Sequence, residues 1–201
     1  MQEPRAPRVA PETMTPEQRA LVERFTTGPR ADPANAFRLT DETGQLIGPL
    51  RAWVLAPELG LALEPVGAQM RWGIHVSGRA REAVILAVGY AEASPFELYA
   101  HEAAGRAEGL TEEDLADLRA GRTPAGADEE LRIAHGIALE LIRDRTLSEE
   151  TFGRAVAALG HAVVFELVVL VGWYQMTTLV LATFDIQPPP AVFRTTAEPA
   201  S

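Results

Sequence analysis

Residues 79–93 read Arg79-Ala80-Arg81-Glu82-Ala83-Val84-Ile85-Leu86-Ala87-Val88-Gly89-Tyr90-Ala91-Glu92-Ala93, and the fold class turns on them. Ala83, Leu86 and Tyr90 recur at helical spacing, with Val84, Ile85 and Val88 beside them. No stretch here or elsewhere in the chain alternates convincingly with period two. The expected fold is therefore all-α, a single-domain helical bundle.

The same reading extends in both directions. Ser94–Glu108 is a helix closed by Gly109 as its C-terminal stop, and Thr111-Glu112-Glu113-Asp114 opens a shorter one. Gly121–Gly126 is a turn-rich connector. Asp128–Arg143 and Ser148–Leu159 follow as helices, and a long apolar helix runs on to Phe184. Toward the N-terminus, Leu50–Leu55 and Pro57–Trp72 make one helix or two, divided or bent at Pro57 and Pro65. Residues 28–49 hold Gly, Pro, Asp and Asn without a period, so they read as a long surface loop. Such loops are uncommon unless they wrap something or help build a site. Thr15-Pro16-Glu17-Gln18 is a helix start, with Thr15 as N-cap, Pro16 in the first helical position and Gln18 completing the cap. That helix is expected to end near Thr27-Gly28-Pro29. The organisation that follows is an arm, short helix and loop over 1–48, a helical domain over 49–186 and a Pro-rich tail over 187–201.

Composition narrows the chemistry. The chain has 201 residues, is 47% hydrophobic and carries a formal net charge of -10. It has no Cys and no Lys, and all 18 basic residues are Arg. Disulfides, thiol nucleophiles and thiol peroxidase chemistry are excluded, as are Schiff-base lysines and the phosphate-binding P-loop lysine. The acidic balance argues against nucleic acid and anionic membrane surfaces. The N-terminus shows no apolar secretory segment, so a cytoplasmic location is expected. Ala162–Phe184 is long enough to span a bilayer, but Glu166 would then face hydrocarbon at a cost of about 3 kcal/mol. The segment reads instead as a core or subunit-interface helix, buried all round, which in so small a domain calls for a second subunit. A homo-oligomer is therefore expected, and no membrane.

The polar cluster with a defined geometry is Ser94-Pro95-Phe96-Glu97-Leu98-Tyr99-Ala100-His101. On a helix, Ser94, Glu97 and His101 lie along one face. A carboxylate beside an imidazole is a proton-transfer unit. The bland reading is a capping box, with Ser94 and Glu97 tying off the helix start and Glu97–His101 an exposed pair.

The layout Glu82-x11-Ser94-x2-Glu97-x3-His101 resembles the carboxymuconolactone decarboxylase and alkylhydroperoxidase-D-like family, whose hydroperoxidase branch carries Glu-x11-Cys-x2-Cys-x3-His. Arg81-Glu82-Ala83-Val84-Ile85-Leu86 looks like the family's Arg-Glu opening of the core helix. The run His101–Glu113 looks like its small-residue helix, Gly stop and acidic next helix, and Phe165-Glu166-Leu167-Val168 with Gly172-Trp173-Tyr174 is similar to its late helix. The resemblance covers about residues 45–190. Ser94 and Glu97 stand where the redox branch has cysteines, so only the acid/base part survives.

The resemblance implies an alkylhydroperoxidase-D-like bundle forming dimers, trimers or hexamers. It also implies a cofactor-free lyase or isomerase acting on a small enolisable carboxylate or lactone, expected to be anionic. His101 is the candidate acid/base, with Glu97 or Glu82 orienting it or relaying its proton, and Ser94 a candidate oxyanion donor. Tyr99, Trp72 and Arg81 are candidate substrate contacts; Arg81 also reads as a structural ion pair, and Arg71 is a second possible clamp. No metal site is expected. Glu166 reads as a buried carboxylate in a helix-to-helix hydrogen bond, and His75, His135 and His161 as surface or capping histidines. A rival reading is a non-catalytic ligand-binding or assembly module that keeps the fold.

Overall fold

The computed structural model describes residues 5–27, 39–41 and 46–189, and within these it is all-helical. Residues 1–4 of the expected arm, 28–38 and 42–45 of the expected loop, and 190–201 of the expected tail lie outside the described residues. The helices are α1 (Pro16–Thr27), α2 (Leu50–Trp53), α3 (Pro57–Trp72), α4 (Gly78–Ala91), α5 (Pro95–Ala107), α6 (Glu112–Arg119), α7 (Glu129–Asp144) and α8 (Glu149–Thr183). Among the described residues the only extended pairing is one antiparallel bridge, Thr40 to Leu46.

Local chemistry sets most of the starts. Gln18 N–H donates to Thr15 Oγ1 at 3.2 Å, and Thr15 N–H donates to Gln18 Oε1 at 2.9 Å, a reciprocal cap for α1. Thr111 and Asp114 form the same box at α6. Ser77, Asp128 and Ser148 each accept a backbone N–H at the starts of α4, α7 and α8. α2 and α3 are separate helices. Pro57 opens α3, which continues through Pro65 rather than dividing there.

The core is built round α4. Ala80, Ala83, Val84, Ile85, Leu86 and Val88 are each at most 1% exposed, with α5, α6, α7 and α8 packed round them. Small residues permit the close approach: a Cβ on Gly105 would meet Leu110 Cδ1 at 2.8 Å. A second apolar cluster joins the N-terminal arm, α1 and α2 to α5 and the end of α8 through Ala6, Leu21, Leu50, Phe96 and Leu181. Phe25 meets Trp53 edge-on at 5.4 Å, and Trp53 meets Trp173 at 5.9 Å.

α8 differs from the expectation in two ways. It runs for 35 residues, but Gly160 interrupts the helical backbone with φ 80° and ψ 160°. The two helices read from the sequence are thus joined at a sharp kink. Nor is the apolar part buried all round. Leu167, Leu170, Val171 and Tyr174 face the core, while Phe165 is 69% and Leu179 64% exposed in the single chain. α4, not α8, is the helix surrounded on all sides. By length and composition α8 is apolar enough to cross a membrane.

Two polar residues also depart from expectation. His135 is fully buried rather than at the surface. It shares the inner stripe of α7 with Leu131, Ala134 and Ala138, its Nδ1 lies 2.9 Å from Thr123 Oγ1, and burial pushes its pKa down to about 4. Glu166 is only partly buried and bonds a loop rather than a helix, accepting from His75 N–H at 2.9 Å with His75 Nδ1 at 2.7 Å.

Candidate active site

Glu82 is the hub. It sits on α4 with its side chain wholly buried. His101 Nδ1 lies 2.7 Å from Glu82 Oε2, and Arg71 Nη1, from the last turn of α3, donates to Oε1 at 2.7 Å. Arg81 Nε donates to the same oxygen at 3.3 Å. Burial alone would raise the Glu82 pKa, but His101, Arg71 and Arg81 together hold it at about 2.

Glu97 and His101 are one turn apart on α5, which brings Glu97 Oε2 to 3.2 Å from His101 Nε2. That contact is an ion pair between two buried side chains. The imidazole therefore stands between two buried carboxylates, one at each ring nitrogen. Burial works against its charge; Glu82 and Glu97 outweigh burial, and the His101 pKa is raised above its ordinary value. With both nitrogens facing carboxylates, the favoured form is the imidazolium, a donor at both ends. Arg71 Nη1, 3.4 Å from His101 Nδ1, is then a second cation sharing Glu82, not a donor to the ring. The Arg71 pKa is also raised: burial opposes the charge, and Tyr174 and Glu82 more than offset it.

Glu97 and His101 open onto a cavity of about 100 Å³ where the two apolar clusters meet. Arg71, Tyr174 and Thr177 add polar groups, and Phe25, Trp53, Trp72, Phe96 and Trp173 supply aromatic walls. The ring of Tyr174 stands edge-on to His101 at 5.0 Å. Leu39, Ile47 and Pro49, from the end of the long loop, close another side.

The candidates named from sequence separate clearly. Glu97, His101 and Trp72 line the cavity, and Glu82 lies behind His101. Ser94 does not line it. It ends α4 and starts α5 through its backbone, donating N–H to Gly89 O at 3.0 Å and accepting from Leu98 N–H at 3.1 Å. Its side chain makes no cap bond, so the expected capping box is absent; the Glu97 side chain turns to His101 instead. Tyr99 packs against Phe96 at 6.1 Å in the second apolar cluster, outside the lining. Arg81 is held by Glu82 and by Glu108 at 2.9 Å and also lies outside the lining, which leaves Arg71 as the cavity's arginine. Phe25 and Thr177, which nothing in the sequence marks, complete the lining with Trp53 and Tyr174. The dipeptide Trp173-Tyr174 was the visible signal for that wall. Among the described residues, no group of three or more His, Cys, Asp or Glu is arranged to hold a metal ion.

The model of the carboxymuconolactone decarboxylase family matches residues 57–140. Over that segment the chain is similar to the carboxymuconolactone decarboxylase family. The segment contains Arg71, Glu82, Glu97 and His101, while Phe25, Trp53, Trp173 and Tyr174 lie outside it. The family match therefore covers the proton-handling groups, and much of the cavity's shape comes from flanking chain. Comparison with curated proteins gives no match, and comparison with solved structures gives none.

Proposed function

We propose that this protein is a cofactor-independent lyase or isomerase that moves a proton on a small enolisable carboxylate or lactone. The observation that carries the reading is the His101 ring held between Glu82 and Glu97 at the wall of an aromatic cavity. Glu82 fixes Nδ1, which leaves Nε2 as the working nitrogen toward Glu97. In the lyase form, the bond from the substrate carbon to its carboxylate breaks and CO₂ leaves. The electron pair moves to the conjugated carbonyl oxygen, and His101 then protonates carbon. In the isomerase form, Glu97 takes a proton from carbon and His101 returns one elsewhere on the same enolate. Arg71 and Tyr174, which line the cavity, would donate to the enolate oxygen. Likeness to the family is compatible with decarboxylase-like or peroxidase-like activity. A chain without cysteine has no thiol to reduce a peroxide.

The rival reading, a silent binding module, drew its support from a Ser94–Glu97 capping box, and that bond is absent. Proton NMR in D₂O distinguishes the two. Unsaturated lactone acids, β-keto acids and related enolisable compounds are incubated with the protein and with His101→Gln. The expected result is deuterium incorporation or CO₂ release that falls by about 10²–10⁴-fold in the variant. Turnover retained in His101→Gln contradicts the assignment.

We propose, too, that the protein works as a homo-oligomer. The support is the run of exposed apolar residues Phe165, Val168 and Leu179 along one side of α8.

A further inference from the structure

At about 100 Å³ the cavity is smaller than the roughly 150 Å³ that holds one benzene ring, so a six-membered ring enters only when a wall moves. Most of the wall is locked. Phe25, Trp53, Phe96 and Tyr174 are buried, Phe25 and Trp173 meet Trp53 edge-on at 5.4 Å and 5.9 Å, and Tyr174 stands against His101. Close-packed rings of this kind move only by displacing their neighbours. Trp72 is different. It is 44% exposed and is the last residue of α3, with Gly73 following as the C-cap. It also lines a second space, an open groove of about 500 Å³ between α1 and α3, floored by Gln69 and crossed by the Arg24–Glu64 ion pair. One indole is thus shared by the small cavity and the open groove. The backbone beneath it is anchored. Arg71 Nη1 holds Glu82 at 2.7 Å, and the Arg71 guanidinium lies 5.9 Å from the centre of the Trp72 ring. Swinging the end of α3 outward would break the Arg71–Glu82 pair, whereas rotating the Trp72 side chain leaves it intact. Half-exposed side chains change rotamer far faster than buried ones.

We propose that Trp72 is the plug of the empty site and sets the size of molecule it accepts: the indole turns out into the groove, and the entering ring takes the space it leaves. The groove is then the entrance. This rests on the reading of the cavity as the substrate site, and holds for a lactone or a carboxylate alike, since both need the volume. A Trp72 that contacts substrate in place, as the sequence suggested, gives the opposite sign. Removing a contact weakens binding. Removing a plug strengthens it, because a site open one-tenth of the time binds about tenfold more weakly than one that is always open.

Calorimetric titration of the full-length protein with benzyl alcohol and with naphthylmethanol tests this. The two probes are uncharged and carry the same polar group on one ring and on two fused rings. Trp72→Ala is expected to bind benzyl alcohol about tenfold tighter than the unmodified protein, with a larger gain for naphthylmethanol and with Trp72→Phe in between. Unchanged or weaker binding in Trp72→Ala overturns the proposal, and so does no binding of either probe to any of the three proteins at millimolar concentration. A second measurement needs no variant of altered stability. In protein labelled with fluorotryptophan, benzyl alcohol should make the Trp72 fluorine more accessible to a neutral gadolinium chelate in solution, as the indole leaves the cavity. An accessibility that falls or stays the same overturns the proposal. Displacement of Trp72 without any deuterium exchange in the proton-transfer assay would retain the plug and remove the catalytic reading. Exchange with weaker probe binding in Trp72→Ala would retain the chemistry and make Trp72 an ordinary wall contact.

Discussion

Glu82→Gln removes one negative charge and leaves the shape of the side chain almost unchanged, so its effect is electrostatic. Three cations converge on that carboxylate: His101 at 2.7 Å, Arg71 at 2.7 Å and Arg81 at 3.3 Å. A carboxyl that titrates near 4.5 when unfolded and at about 2 when folded contributes about 3 kcal/mol at neutral pH. An independent route gives a similar size: stripping one partner from a buried ion pair costs about 3–5 kcal/mol, because the remaining charges stay buried. The pH dependence has a defined sign. The folded chain keeps Glu82 ionised to a lower pH than the unfolded chain does. Its contribution is therefore complete above pH 4.5 and drains away as the pH falls toward 2. Urea unfolding of both proteins, from pH 7 downward, reads this directly. The expected difference is about 3 kcal/mol at pH 7, shrinking as the pH drops below 4.5. A loss under 1 kcal/mol at pH 7, or a gap that widens on acidification, would refute the picture of Glu82 as the charge on which this site is assembled.

Other consequences are independent of that one. His135 is buried neutral with a pKa of about 4, against 6.5 in the unfolded chain, so acid destabilises the fold between those values by up to about 3 kcal/mol. Urea midpoints of His135→Gln should fall less steeply than those of the unmodified protein across that window, and parallel curves would contradict this. Gly160 has φ 80° and ψ 160°, a region only glycine adopts freely, with open space where a Cβ would go. Gly160→Ala should therefore cost about 1–3 kcal/mol from backbone strain alone. Gly153→Ala, in a helical and open position, should stabilise by about 0.5–1 kcal/mol, and thermal melts of the pair check both. Analytical ultracentrifugation should give a mass above the monomer at micromolar concentration, reduced by Phe165→Glu with Leu179→Glu. A clean monomer in the unmodified protein would sink the oligomer proposal.

Legibility in the sequence followed the range of the interaction. Thr15 with Gln18, Thr111 with Asp114, and the stop at Gly109 are chemistry within one helical turn, and the chain shows them directly. The spacing of Glu97 and His101 is equally local, and so is their shared face. Arg71 is different. It reaches Glu82 from another helix, and nothing in the residues around Arg71 marks it over Arg81. Ser94 misled because a capping box is the default for its pattern, and here the bonding of Glu97 to His101 competes with it. His135 was within reach: Leu131, Ala134 and Ala138 set the buried stripe of α7, and His135 falls on it by period alone. The exposed side of α8 was not, since apolar content says how much a helix wants to bury and not how much its own chain can cover.

The claim on which the functional account depends is that His101 rests as an imidazolium clamped between Glu82 and Glu97. Nitrogen-15 NMR of the labelled histidines, titrated from pH 5 to pH 9, measures it without any knowledge of the substrate. The account predicts a His101 pKa raised above its ordinary value by the flanking carboxylates, and a lower one in Glu82→Gln. A His101 ring that is neutral at pH 7 and titrates at or below 6.5 would contradict it, because the acid assigned to the cavity would not be there.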